Sequence, residues 1–197
     1  TGFIKRDETP VAQAPIEVRG AADRTLSVPT ATRRAQAEKP APLAVEATAG
    51  DTWQRVREQF GFADVDNAEI AREREWYRRH PRYLRDVATR ARPYLFHVAN
   101  EIERRGLPGE LALLPILESG YRSDTASPYG AAGLWQFMGG TGSKFGLDID
   151  RWYDGRMDVV RSTDAALNYL EALSARFDGD WLLAIAAYNA GWGNLEK

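Results

Sequence analysis

The amino-acid sequence predicts a mainly α-helical protein: a helical domain preceded by a disordered N-terminal linker. Three observations carry this reading. From Asp51 onward, apolar residues recur in steps of three and four, the period of one buried helix face. No window alternates apolar and polar residues for long enough to suggest a sheet. The first 50 residues lack what a core needs, holding only Phe3 of 21 aromatic residues but five of the ten prolines (Pro10, Pro15, Pro29, Pro40 and Pro42).

A segment with so few large apolar groups cannot offset an ordering cost of roughly 1–2 kcal/mol per residue. Residues 1–50 are therefore expected to be a Pro- and Ala-rich linker, and residues 51–197 the folded domain. Within that domain, Asp51–Phe60 reads as a short helix stopped by Gly61. Pro81 opens a longer one with Leu84, Val87, Ala91, Leu95, Val98 and Ile102 on its inner stripe, ended by Gly106-Leu107-Pro108. Glu110–Ser119 reads as a short, almost wholly apolar helix. Ser162–Phe177 repeats the spacing at Ala166, Leu170, Leu173 and Phe177 and stops at Gly179. Asp180–Ala190 is a further apolar helix, capped by Asp178 or Asp180 and ended by Gly191.

Composition narrows the chemistry. The absence of cysteine removes disulfide scaffolds, Cys-ligated metals and thiol nucleophiles. Two histidines, His80 and His97, leave little for a His-rich metal site or a Ser-His-Asp triad, so neither metal nor organic cofactor is expected. A formal charge of −2 argues against a chain that is basic throughout and coats nucleic acid. Apolar runs fall far short of the roughly 20 residues a membrane span needs. The stretch Arg72–Arg92 holds eight arginines among Trp76, Tyr77 and Tyr83, opposed by Glu73, Glu75 and Asp86. It reads either as a solvated helix face with local ion pairs or as a surface for an anionic polymer, and no nucleic-acid partner is expected. Thr1 is not an initiator Met and no charged-then-apolar leader precedes it, so a processed protein or a fragment is expected.

The oddest residue is Glu118, which follows seven consecutive apolar residues, Leu111 to Leu117. On a helix it shares a face with Leu111, Leu114 and Pro115, the face expected to be buried. Burial disfavours the charged carboxylate and raises its pKa, which lets Glu hold a proton near neutral pH and give it to an acetal oxygen. The alternative is a Glu at a helix end that reaches solvent or pairs with an arginine. Downstream, Ser127-Pro-Tyr-Gly-Ala-Ala-Gly-Leu-Trp-Gln-Phe-Met-Gly-Gly-Thr-Gly is rich in small residues yet carries Trp135, Gln136 and Phe137. Such a segment lets backbone approach a ligand and supplies a flat apolar face and an amide fork, the pairing that sugars need; an ordinary helix–helix connection is the other reading.

Glu118-Ser119, Gly133-Leu-Trp-Gln136 and Ala187-Tyr188-Asn189 resemble, in order and spacing, the three motifs of the lytic transglycosylases with an SLT domain. Tyr153-Asp-Gly-Arg-Met-Asp-Val-Val-Arg-Ser-Thr-Asp-Ala-Ala-Leu-Asn, Phe177-Asp-Gly-Asp-Trp-Leu-Leu-Ala and Trp135 itself are similar to the D branch of the membrane-bound lytic murein transglycosylases. The resemblance runs from about Asp51 to Lys197. It implies a lysozyme-like helical domain with a glycan groove over Glu118, acting on peptidoglycan strands at the β-1,4 bond between N-acetylmuramic acid and N-acetylglucosamine. The muramyl 6-hydroxyl, rather than water, would close a 1,6-anhydro ring. One carboxylate then suffices: the acetamido carbonyl stabilises the sugar cation, while Glu118 first gives a proton and later takes one. A two-carboxylate glycosidase would need a partner about 5–9.5 Å away, and the nearest downstream, Asp124, carries no motif match.

The resemblance further implies that Ser127 contacts the N-acetyl or peptide-bearing sugar, that Gln136 is a groove amide, and that Tyr188 stands near the acid while Asn189 braces the site. The other reading of Tyr188 is a core tyrosine on an apolar helix, while Trp135 could equally stack on a sugar or wall the core. It also implies a bacterial, periplasmic monomer in the cell envelope, with a lipid anchor or LysM repeats in a full-length protein. Two departures stand out. Met138-Gly-Gly-Thr-Gly replaces the usual Met-Pro-Ser-Thr-Gly, and Lys197 follows closely on the third motif, so the domain is expected to lack a last helix and a further groove tyrosine. Two rival functions use the same residues. One is a goose-type lysozyme-like muramidase that delivers water; the other is a non-catalytic wall-binding module.

Overall fold

The computed structural model describes residues 49–190, with side chains from Thr52 onward. The expected linker lies outside the described residues, except that Ala49 and Gly50 already belong to the first helix, α1 (Ala49–Glu58). The helices that follow are α2 (Ala68–Arg79), α3 (Pro81–Ala91) and α4 (Leu95–Arg105). A 3-10 segment (Gly109–Leu113) then leads into α5 (Leu114–Ser119). A two-residue hairpin, β1 (Ala131–Ala132) and β2 (Phe137–Met138), precedes α6 (Gly139–Lys144), α7 (Val159–Arg176) and α8 (Trp181–Ala190). The architecture is mainly α, as the periodicity predicts.

Pro93 corrects one expectation. The single helix from Pro81 is two, because a proline has no N–H for the ladder and its ring clashes with the preceding turn. Tyr94 N–H instead closes on the Ala91 carbonyl at 2.9 Å. The inner stripe nevertheless continues across the break: Val87, Ala91, Leu95, Val98 and Ile102 are all buried. Leu84 is not part of it, being 41% exposed. At the far end Gly106 takes the left-handed conformation (φ 65°), and Leu107 N–H returns to the Ile102 carbonyl at 3.0 Å. Glu110–Ser119 likewise divides into the 3-10 segment and α5. The small hairpin pairs Ala131 with Met138 and Ala132 with Phe137. Strands of two residues are too short for alternation to register in sequence.

The core forms where α4 packs on α1, the 3-10 segment and α7, and where α7 packs on α8. Along α7 the inner face is Ala166, Leu170 and Leu173, all fully buried, with Phe177 packing against them from the C-cap. Arg105 ties α4 to α7 through Asp164, Asn168 and Glu171. Asp180 caps α8, its carboxylate accepting the Leu183 N–H at 2.9 Å. The end of that helix at Gly191 lies outside the described residues. The basic stretch forms α2 and α3, with local pairs of Arg74 to Asp66 and of Arg78 and Arg79 to Glu75. Trp76 stacks on His80 at 4.2 Å beside Tyr77 and Tyr83. Among the described residues no helix is long and apolar enough to cross a membrane.

Candidate active site

The 3-10 segment and α5 deliver Glu118. Leu111, Leu114, Pro115 and Ser119 face inward and are buried, whereas Leu117 is 54% exposed. Glu118 sits at the boundary, half-buried, with its Oε1 shut off from solvent and without a hydrogen-bond partner among the described residues. Burial raises its carboxyl from an ordinary 4.5 to about 7, and no neighbouring charge contributes to that shift. The alternatives of an arginine-paired or fully solvated Glu118 therefore do not describe this residue.

The backbone after α5 turns back sharply to close the site. Gly120 (φ 59°) and Tyr121 (φ 61°) are both left-handed, and Tyr121 N–H returns to the Pro115 carbonyl at 2.9 Å. A left-handed tyrosine is strained, and it is held by burial of its ring and by its hydroxyl donating to the Ala112 carbonyl at 2.7 Å. Ser119 joins the helix to the hairpin: its hydroxyl donates to the Leu134 carbonyl at 2.9 Å and accepts the Arg122 N–H at 3.1 Å.

Gln136 is the second strained position (φ 48°), at the tip of the hairpin. Its amide nitrogen donates to the Gly133 carbonyl at 2.8 Å, and its carbonyl oxygen has no donor among the described residues. The hairpin is clamped from behind by Arg156. One guanidinium nitrogen donates to the Gly130 and Phe137 carbonyls at 2.7 and 3.1 Å, while the others grip Asp154. Arg156 in turn holds the Asp154 carboxyl below its ordinary range. Gly133 (φ 79°) lies so close to this clamp that a Cβ would fall 1.7 Å from the Arg156 carbonyl oxygen. Asp154 and Arg156 belong to the string that carries the D-branch resemblance, yet nothing local marks them as a clamp, because a loop arginine near an aspartate reads as surface charge.

The other expected site residues separate. Ser127 is half-buried, and its hydroxyl accepts the Ala131 N–H at 3.0 Å, which fixes the approach to the hairpin. Tyr188 adjoins the acid. Its hydroxyl donates to the Trp135 carbonyl at 2.8 Å, and burial followed by the charge of Glu118 pushes its phenol well above 10. Trp135 is a correction to its stacking role: the ring is fully buried and its N–H donates to the Thr163 hydroxyl at 3.0 Å, so it offers no face to a sugar. Asn189 is exposed and, among the described residues, bonds only the Ile185 carbonyl of its own helix at 3.4 Å, so a bracing contact is not seen. A cavity of about 400 Å³ lined by His97, Glu101, Phe145, Leu147, Val160 and Arg161, among others, contains none of these residues.

Residues 98–197 match the family model of the transglycosylase SLT domain, a span that includes Glu118, the hairpin and α8. The chain belongs to the transglycosylase SLT family. Within the SLT family it is 43% identical over 148 residues to the membrane-bound lytic murein transglycosylase D of Escherichia coli K12, and equally to that of strain O6:H1. Those alignments cover 75% of this chain and 33% of each relative. A putative tributyltin chloride resistance protein of Alteromonas sp. strain M-1 is 47% identical over 120 residues, covering 59% of this chain and 58% of that protein. This SLT chain thus spans about a third of the length of the E. coli relatives.

Proposed function

We propose that the chain is the catalytic part of a peptidoglycan lytic transglycosylase, with Glu118 as both acid and base. The observation that carries this is the carboxyl itself: one oxygen is buried without a partner and burial raises its pKa to about 7, so a protonated carboxyl is available near neutral pH. The protonated carboxyl gives its hydrogen to the oxygen bridging N-acetylmuramic acid and N-acetylglucosamine, and the C1–O bond breaks. The acetamido carbonyl oxygen shields C1 on the opposite side. The carboxylate then removes the proton of the muramyl 6-hydroxyl, whose oxygen attacks C1 and closes the 1,6-anhydro ring, so no water is consumed. That no second carboxylate among the described residues shifts Glu118 supports the single-residue cycle.

Gln136, with its free carbonyl oxygen, and Ser127 are assigned to the glycan, and Tyr188 to the wall behind the acid. The names of the E. coli relatives support murein as substrate and attachment to a membrane of the cell envelope. The test is digestion of purified peptidoglycan with product masses read by mass spectrometry. Muramyl ends one water lighter than hydrolysis would leave are expected from the parent chain and not from Glu118→Gln. Full-mass reducing ends would instead identify a hydrolase.

A further inference from the structure

We propose that the turn carrying Trp152, outside the site described above, is an accessory carbohydrate platform on which the indole stacks against one ring of a β-1,4-linked aminosugar strand. The inference rests on the glycan reading of the Glu118 site. Trp152 is 87% exposed, far more than any other large apolar side chain described. An indole left in water at this level is a surface that burial against a ligand would stabilise.

Hydrogen bonds hold the backbone that carries that indole. The Asp150 carboxylate accepts the N–H groups of Trp152 and Tyr153 at 2.6 and 2.9 Å, and Asp150 N–H donates to the Tyr153 carbonyl at 2.8 Å. Ile149 and Asp154 bridge on either side, and Gly155 N–H donates to the Asp148 carbonyl at 2.8 Å. A platform ordered in advance loses little entropy when a ligand arrives. Arg151 lies over the ring at 5.2 Å, and Ile149 and Tyr153 of the same turn are each 38% exposed. The exposed Arg161–Asp148 pair nearby, 3.0 Å apart, offers donors and an acceptor of the kind that sugar hydroxyls use.

Position supports the same occupant. Arg156, a few residues beyond Trp152, is the clamp bonded to the Gly130 and Phe137 carbonyls, so hydrogen bonds tie this segment to the Gln136 hairpin assigned to the glycan. A lipid surface fits less well: Asp148, Asp150 and Asp158 outnumber Arg151 and Arg161 around the turn, whereas anionic headgroups attract clusters of positive charge.

The test uses the full chain carrying Glu118→Gln. On titration with tetra-N-acetylchitotetraose, the Trp152 indole N–H resonance, assigned by its loss in Trp152→Ala, should shift. Trp152→Ala should weaken cosedimentation with purified peptidoglycan about fivefold, and Trp152→Tyr should stay within about twofold. An unmoved resonance together with unchanged cosedimentation overturns the proposal. So does adsorption to phosphatidylethanolamine–phosphatidylglycerol vesicles that needs Trp152 while glycan binding does not. Failure of the catalytic reading looks different: the chain with Glu118 intact yields no anhydro ends, yet the indole still shifts with the saccharide, and the platform stands.

Discussion

The segment Gly109–Ser119 carries a carboxylate near each end, and the two are treated in opposite ways. Glu110 accepts the N–H groups of Gly61 and Phe62 at 2.9 and 2.8 Å and so fastens the 3-10 segment to the turn after α1. Glu118, two turns on, has one oxygen buried without a partner and a pKa near 7. A carboxylate whose oxygens accept backbone N–H groups stabilises the fold. A carboxylate buried away from donors costs the fold stability when charged and, with its pKa raised, keeps its proton up to near-neutral pH, where it can be given away. The contrast separates structure from chemistry within eleven residues.

The largest effect is expected from Glu118→Gln, which keeps the shape and removes the proton. Peptidoglycan cleavage should fall by about a thousandfold, within the range typical of a general acid. The variant should also unfold at higher urea than the parent at pH 8, since it no longer buries a charge. A variant that loses activity and is also less stable would mean that Glu118 is a structural anchor like Glu110.

Gly133→Ala comes next. The added Cβ would meet the Arg156 carbonyl oxygen at 1.7 Å, and an alanine resists φ near 79°. A loss of about 3 kcal/mol or more in chemical denaturation is expected, together with loss of cleavage as the hairpin shifts. Near-parental stability would show that the Arg156 clamp is loose.

These residues also show what sequence can reveal. The helical stripe Val87–Ile102 and the inner face of α7 were legible because burial imposes a period on the chain. Glu118 was legible for the same reason: it is a charge placed where the period and the apolar run call for a hydrophobe. The break at Pro93 was present in the letters but was overridden by a stripe that continues through it. What stayed hidden depends on long-range contact. Nothing local says that Trp135 points at Thr163, that Ser119 reaches the Leu134 carbonyl, or that Arg156 spans two loops. Such partners are chosen by the fold, so residue type alone does not name them.

The third expectation is a pH dependence with a defined sign. Glu118 binds its proton more tightly folded (about 7) than unfolded (4.5), so its neutral form favours the native state. That contribution is fully present below pH 4.5 and disappears as pH rises through 7, a span worth up to about 3 kcal/mol. Stability of the parent relative to Glu118→Gln should therefore decline between pH 5 and pH 8. The cleavage rate should fall on the alkaline side of pH 7 as the acid is lost. A difference in stability that does not vary over this range would place the Glu118 carboxyl in water.

The smallest effect, and the sharpest control, is Glu110→Gln. The amide oxygen can still accept the Phe62 N–H, but the charge-assisted bonds to Gly61 and Phe62 weaken. About 1 kcal/mol of stability should be lost, lowering the thermal midpoint by about 3 °C. Cleavage should remain within about twofold of the parent, because the substitution leaves the Glu118 carboxyl in place. A collapse of activity comparable to that of Glu118→Gln would show that the two ends of the segment are coupled, with the 3-10 anchor setting the position of the acid. Preserved activity with a modest loss of stability means that one carboxylate holds the segment in place while the other carries the reaction.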